Sequence, residues 1–266
     1  MLNNPTFDKL LSMKMNGMAK TLQEQEDLTE SLNMTFHERF GLLVDAEYSE
    51  RQTQQLTRRL RTARLKQSAA VEDIDYHHSR GLDRGLVTQL STGQWIKEGL
   101  NLLISGPTGV GKTYLSCALA HKACMLGYSA QYYRTPRFFQ DLTIARLEGN
   151  YNRFLRKMQK FDLLVLDDFA LIPITEEQSR DLLEVSDDRC SAQSILLSSQ
   201  IEPENWYKVF ENPTLADAIL DRIIHGAYKI NLTGESIRKN RRKRLEMWKS
   251  KISVLSLPKV LGRRPD

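Results

Sequence analysis

Cysteine is scarce in this chain, with only Cys117, Cys124 and Cys190 present. An odd count without metal-ligand spacing excludes a disulfide framework or thiolate metal site, so the three read as small core residues of a reducing compartment. Histidine is also thin, and the adjacent His77 and His78 have no further His or Cys nearby to complete a ligand set. No apolar run approaches the roughly 20 residues that span a bilayer, and the N-terminus lacks the pattern of a secretory signal. The expectation is a cytoplasmic protein with no membrane partner. Otherwise the composition is globular: 41% hydrophobic and 27% charged residues over 266 positions, enough for one medium domain and an appendage.

Against these absences stands one dense stretch, Gly106-Pro107-Thr108-Gly109-Val110-Gly111-Lys112-Thr113, which fills every position of the phosphate-binding pattern G-x-x-x-x-G-K-[ST]. The apolar run Leu100–Ser105 before it predicts a buried strand. Leu115, Ala118, Leu119, Ala123 and Leu126 after it predict a helix that stops at Gly127. Gly109 and Gly111 let the backbone curl so that its N–H groups face phosphate oxygens, and the helix N-terminus adds positive charge. Lys112 is expected to reach the β- and γ-phosphates, and the Thr113 hydroxyl to ligate Mg²⁺.

Upstream, residues 1–70 contain one proline, Pro5, among good helix formers and read as a small helical domain. Leu10, Leu11, Met15, Met18 and Leu22, and then Phe36, Phe40, Leu43 and Val44, recur at helical spacing and are expected to be core. Thr35 and Glu38 form a capping-box pattern opening a helix to Lys66. Residues 71–98, rich in Asp, His and Gly, read as a linker, with Leu86–Trp95 placed to wall a nucleotide base. Charge is uneven. The net +5 combines a local +9 over residues 238–266 with −4 elsewhere, and Arg51, Arg58, Arg59, Arg61, Arg64 and Lys66 form a second basic run. Such runs bind nucleic-acid backbones or lie on a solvated face, and the sequence leaves both open.

Downstream, Ser129–Arg134 reads as a strand and Pro136–Lys160 as helices. Arg134, Arg137, Arg146, Arg153, Arg156, Lys157 and Lys160, with Tyr132, Tyr133, Phe138 and Phe139 among them, offer a nucleic-acid surface, although core packing explains the aromatics equally well. Leu163–Leu166 followed by Asp167-Asp168-Phe169 is a buried strand ending in two carboxylates, a Walker B pattern. Asp167 is expected to hold Mg²⁺ and Asp168 to accept the proton of attacking water. Ser194–Gln200 forms a further strand with polar residues at its end, and Asp221-Arg222 lies in a helix with Leu215, Ile219, Ile223 and Ile224.

The phosphate loop, Asp-Asp-Phe, Ser-Ser-Gln, Asp221-Arg222 and Gly234-Glu235-Ser236-Ile237-Arg238, in this order, resemble the AAA+ ATPases related to the DnaC helicase loaders, and among them the IstB-like transposition helper ATPases of bacterial insertion sequences. The resemblance covers essentially the whole chain. It implies an α/β fold: an AAA+ ATPase domain with a parallel sheet over residues 99–250, after a small all-helical domain (1–70) and linker (71–98), with a basic tail at 251–266. It implies that Arg222 is the arginine finger offered to a neighbouring subunit's ATP, that Arg238 is the sensor 2 arginine, and that Ser199 or Gln200 is sensor 1. Asp168 stands where AAA+ proteins commonly carry Glu, although an Asp pair is usual for this branch, and Ala170 replaces a frequent Gly. Slow hydrolysis stimulated by DNA or a partner is therefore expected. The implied function is ATP-dependent regulation of transposition by a ring or filament on duplex DNA that recruits or stimulates the transposase of the same insertion sequence. A helicase loader, or an architectural DNA-binding protein held together by ATP, are the alternatives.

Overall fold

The computed structural model describes residues 5–27, 33–76, 80–190 and 192–237. The chain divides into two compact units, Met1–Thr62 and Ala63–Asp266.

The first unit is helical, with α1 (Pro5–Ser12), α2 (Asn16–Asp27) and α3 (Phe36–Ala63). Pro5 opens α1, where its missing N–H costs nothing. The capping box that opens α3 is present: Thr35 N–H donates to Glu38 Oε2 at 2.8 Å and Glu38 N–H to Thr35 Oγ1 at 3.4 Å. The apolar stripe expected to be core is not buried. Phe36, Phe40 and Val44 are 74%, 48% and 44% exposed. The face of α3 toward α2 is polar instead: Arg39 exchanges hydrogen bonds with Gln25, and Glu47 accepts the N–H groups of Gly17 and Met18 at the start of α2. Arg39 lies about 100° around the helix from the centre of the Phe36–Phe40–Val44 stripe, whereas Glu47, further along α3, lies in line with it.

Arg64, at φ +51°, follows the end of α3 and opens the second unit's path. After it come α4 (Arg84–Leu90), α5 (Gln94–Lys97), β1 (Leu102–Ser105), α6 (Lys112–Met125), β2 (Ala130–Arg134), α7 (Thr135–Leu147), α8 (Tyr151–Met158), β3 (Leu163–Phe169), α9 (Glu176–Arg189), β4 (Ser194–Ser199), a 3-10 helix (Pro203–Val209), α10 (Pro213–Ile224) and β5 (Tyr228–Asn231). The sheet is parallel throughout, in the order β2-β3-β4-β1-β5. The apolar runs of β1, β3 and β4 are buried along their length, as strands of a covered parallel sheet must be. Phe138, Phe139 and Leu142 of α7 join Leu164, Leu166 and Phe169 in the core, so the aromatics of this segment are packing residues.

The segment read as a linker is folded. Asp83 caps α4 by accepting the Gly85 N–H at 2.7 Å, and Val87, Leu90, Trp95 and Ile96 are buried. Cys117 and Cys124 are buried as expected, whereas Cys190 is exposed. No helix among the described residues is long and apolar enough to cross a membrane.

Candidate functional site

The phosphate loop runs from the carboxyl end of β1 into α6 and borders a cleft of about 570 Å³. Gly109 and Gly111 sit at φ +90° and +102°. A Cβ would meet Ser236 Oγ at 2.1 Å in the first case and Arg80 Nη1 at 2.7 Å in the second, so backbone conformation demands glycine at both and close packing adds to it at Gly109. Lys112 is only 8% exposed, and its ammonium donates to the loop carbonyls of Gly106 (2.6 Å) and Pro107 (2.9 Å). The chain thus folds a cationic group back into the mouth of its own loop.

Beside it, Asp167 ends the apolar part of β3 at 1% exposure. One carboxylate oxygen accepts from Thr113 Oγ1 at 2.9 Å and from the Tyr132 hydroxyl at 2.6 Å, and the other accepts from Ser198. Burial alone would raise its pKa. The hydrogen bonds from Ser198, Tyr132 and Thr113, together with the nearby Lys66 ammonium, outweigh burial and hold Asp167 below the ordinary carboxylate range. The adjoining Thr113 hydroxyl and ionised Asp167 are hard oxygen donors and fit a magnesium ion, which takes few protein ligands when phosphates supply others. Among the described residues no cluster of three or more His, Cys, Asp or Glu side chains offers a rival metal site, and His77 and His78 lie outside those residues.

Asp168 is aimed differently. The β3–β4 register shifts between Leu166 and Phe169, and Asp168 adopts φ +58°, so two successive carboxylates serve one region. Asp168 lines the cleft, where its Oδ2 accepts from Arg134 Nε at 2.8 Å. Arg134 was expected on a nucleic-acid surface. Parallel pairing sets it opposite Asp167 in the sheet register, which brings it to the carboxylates instead. Lys66, the last cation of the upstream basic run, is likewise in this cleft, its Nζ 3.7 Å from Asp167. Gln200 lines the cleft and accepts the Thr108 hydroxyl at 2.7 Å. Ser199 is fully buried, with its hydroxyl donating to Phe169 O and accepting from Ile201 N–H. Of the two residues named for sensor 1, only Gln200 therefore faces the cleft.

Arg80 escaped sequence reasoning, while Tyr132 was named only for a nucleic-acid surface or the core and Ser198 only as one of the polar residues ending its strand. Ser198 carried a faint signal, a polar residue inside an apolar strand. Leu86–Trp95 does not wall the cleft. Trp95 is buried, with its backbone oxygen accepting from Ser194 at the start of β4, the opposite edge of the sheet.

Arg222 lies at that opposite edge. Asn101, just before β1, donates to the backbone oxygens of Arg222 (3.3 Å) and Ile223 (3.1 Å), whereas the phosphate loop follows β1. One chain therefore does not bring Arg222 to its own loop. The guanidinium pairs with Asp187 and donates to Ala218 O at 2.6 Å. Arg238 and the basic tail lie outside the described residues, which end as Ile237 N–H donates to Gly109 O at 3.0 Å.

The remaining basic residues divide between the units. In α3, Arg51 pairs with Glu47 at 2.6 Å, Arg58 and Arg61 are exposed, and Arg59 is half-buried. In the second unit Arg64, Arg137, Arg153 and Lys157 converge with Tyr133 and Phe154 on an open groove of about 510 Å³ that Asp141 and Glu148 also line, Arg137 pairing with Asp141 at 3.0 Å. Arg146 is turned away from this role by its pairing with Glu177 and Asp181.

Comparison with known proteins agrees with this geometry. Among solved structures, the DnaC helicase loader superposes with a TM-score of 0.54 at 18% identity, covering 62% of this chain and 96% of that one. AMPPCP-bound DnaA from Aquifex aeolicus gives 0.54 at 21%, covering 70% and 57%. At such identities the likeness establishes the AAA+ fold alone. The chain is 46% identical over 244 residues to the insertion sequence ATP-binding protein y4pL of Sinorhizobium fredii, covering 92% of this chain and all of the relative. It is 45% identical over 202 residues to the ATP-binding protein of insertion sequence IS1162 from Pseudomonas fluorescens, covering 76% and 87%. The model of the family described as IstB-like ATP binding protein matches residues 8–245, and with the phosphate loop, paired carboxylates and parallel sheet all in place, the chain belongs to that family.

Proposed function

We propose that this protein binds ATP with Mg²⁺ in the cleft around Lys112, hydrolyses it slowly, and uses the nucleotide to assemble on duplex DNA as a regulator of transposition. The observation that carries this reading is the convergence of Lys112, Thr113, Asp167 and Asp168 at the carboxyl edge of a parallel sheet, where ligands sit in open α/β folds.

In this reading Lys112 leaves the loop carbonyls for the phosphate oxygens, and the loop N–H groups and the α6 terminus receive the remaining charge. Thr113 and Asp167 hold Mg²⁺, which when bound neutralises charge developing on the β- and γ-phosphate oxygens. Gln200 orients water beside the γ-phosphate. As the water oxygen bonds to γ-phosphorus and the bond to the β–γ bridging oxygen breaks, Asp168 takes the water's proton. Arg134 positions that carboxylate.

Assembly and DNA binding rest on the surface. Because Arg222 lies across the sheet from its own phosphate loop, a neighbouring copy's ATP is its natural target. The exposed arginines of α3 and the Arg64–Arg137–Arg153–Lys157 groove supply a sequence-blind attraction for phosphate backbones. The insertion-sequence relatives support a transposase as the partner that reads this state.

Asp168→Asn tests the chemistry. Its amide keeps the shape but accepts no proton, so ATP affinity should stay within about threefold of wild type while phosphate release falls roughly 10²- to 10⁴-fold, the usual contribution of a general base. Equilibrium binding of a fluorescent ATP analogue and a phosphate-release assay measure the two quantities. Wild-type turnover in Asp168→Asn would place water activation elsewhere.

A further inference from the structure

Lys66 is a cation in the nucleotide cleft to which the phosphate chemistry gives no task. It belongs to the second unit and lines the same cleft as Lys112, Thr113 and Asp168. Its Nζ stands 3.7 Å from Asp167 Oδ2, the carboxylate oxygen to which Thr113 Oγ1 and the Tyr132 hydroxyl also donate. Those two hydroxyls and that of Ser198 are neutral, so Lys66 brings the positive charge to a carboxylate that is only 1% exposed. At this distance the ammonium is held by charge and not by a hydrogen bond. Its side chain is 41% exposed, so solvent lies beside it to receive the ammonium when it is displaced.

Thr113 and Asp167 are the residues that fit Mg²⁺, and Lys66 therefore sets a positive charge against the metal position. Mg²⁺ gives up its water reluctantly and is usually held by one or two carboxylates together with substrate phosphates. In the empty cleft a single carboxylate, already neutralised by Lys66, offers a free ion little attraction, and the ammonium repels it. Triphosphate reverses this balance by adding several negative charges and further oxygen ligands. Without metal, Lys66 also shields those phosphates from Asp167.

We propose that Lys66 is a resident counter-cation of the metal position, neutralising Asp167 in the empty cleft, discouraging free Mg²⁺, and withdrawing toward solvent when Mg²⁺ enters with the phosphates. Metal and nucleotide are thereby admitted together. The proposal rests on the reading that this cleft binds ATP with Mg²⁺, and adds to it what sets the order of entry.

Two binding measurements on wild type, Lys66→Met and Lys66→Arg, each checked for an unchanged melting curve, test it. In the first, Mn²⁺ is titrated into nucleotide-free protein and counted by its electron paramagnetic resonance signal. Lys66→Met should hold Mn²⁺ roughly tenfold more tightly than wild type, the order of effect of removing a unit charge about 4 Å from a divalent ion. In the second, ATP is titrated in EDTA, and Lys66→Met should bind roughly three- to tenfold more weakly because an uncompensated carboxylate now faces the phosphates. Lys66→Arg keeps the charge and should stay within about threefold of wild type in both. Opposite signs in Lys66→Met support the proposal. Weakening of both ligands would make Lys66 a structural residue, and no change in either would leave it a solvated surface charge; each overturns the proposal. Should Lys66→Met fail to fold, the Lys66 side-chain resonances of isotope-labelled wild-type protein are expected to move when Mg²⁺ is added to the ATP complex, and resonances indifferent to Mg²⁺ would overturn it equally. Wild-type protein that binds ATP neither with Mg²⁺ nor in EDTA would instead defeat the ATP-binding reading itself.

Discussion

Lys112→Ala is expected to abolish ATP binding at working concentrations, with affinity falling roughly thirtyfold to several thousandfold. Truncating one partner of a desolvated charge contact costs about 2–5 kcal/mol, and each 1.4 kcal/mol is tenfold. Two features put this residue at the high end. Lys112 is almost wholly buried, so water replaces little of the lost charge. Its partners include the carbonyls of Gly106 and Pro107, which offer a phosphate no compensating donor once the ammonium is gone. Fluorescent ATP titration gives the number, with a melting curve to show that the variant folds. Unchanged affinity would mean that the cleft does not hold triphosphate.

Arg222→Ala should leave ATP affinity near normal yet lower hydrolysis about a thousandfold or more, the effect of removing an arginine finger from P-loop enzymes. Its partner in one chain, Asp187, is a surface pair with the side chains 34% and 47% exposed. Such pairs hold about 0–1 kcal/mol, weak enough to exchange for a neighbour's phosphate and too weak for its loss to unfold the protein. Mixing distinguishes the two roles. Lys112→Ala protein keeps Arg222 but lacks a working loop, so adding it to Arg222→Ala protein should partly restore hydrolysis across a shared interface. A rate per subunit that ignores both concentration and mixing would confine Arg222 to the Asp187 pair.

The parts of the site that were legible in the sequence are those whose chemistry is local. Gly106–Thr113 carries its conformation and its chemistry in eight consecutive residues. Asp167-Asp168 follows an apolar run that cannot be other than a covered strand, and Thr35 and Glu38 cap α3 within a single turn. What was misread depends on where distant segments meet. Lys66 and Arg134 belong to basic runs by sequence, yet chain path and strand register deliver both to the acidic pair. The Phe36–Phe40–Val44 stripe has a helix's spacing, but spacing does not say which face the partner takes, and α2 takes the polar one. β5 escaped notice because Tyr228–Asn231 buries only Ile230, too short and too exposed for an apolar run to show. Leu86–Trp95 was placed at the base by its position before β1, whereas burial of Trp95 anchors it at the opposite edge.

The central claim is that ATP in the Lys112 cleft controls attachment to DNA, and the most direct measurement is duplex-DNA affinity by fluorescence anisotropy, with and without ATP and Mg²⁺, across a salt series. ATP is expected to tighten binding at least tenfold in wild type and not in Lys112→Ala, and the log–log salt slope should steepen by roughly 0.9 for each additional phosphate neutralised as subunits assemble. Equal affinity and equal slope in both nucleotide states would contradict the account, leaving a protein whose basic surfaces bind DNA without regard to its nucleotide.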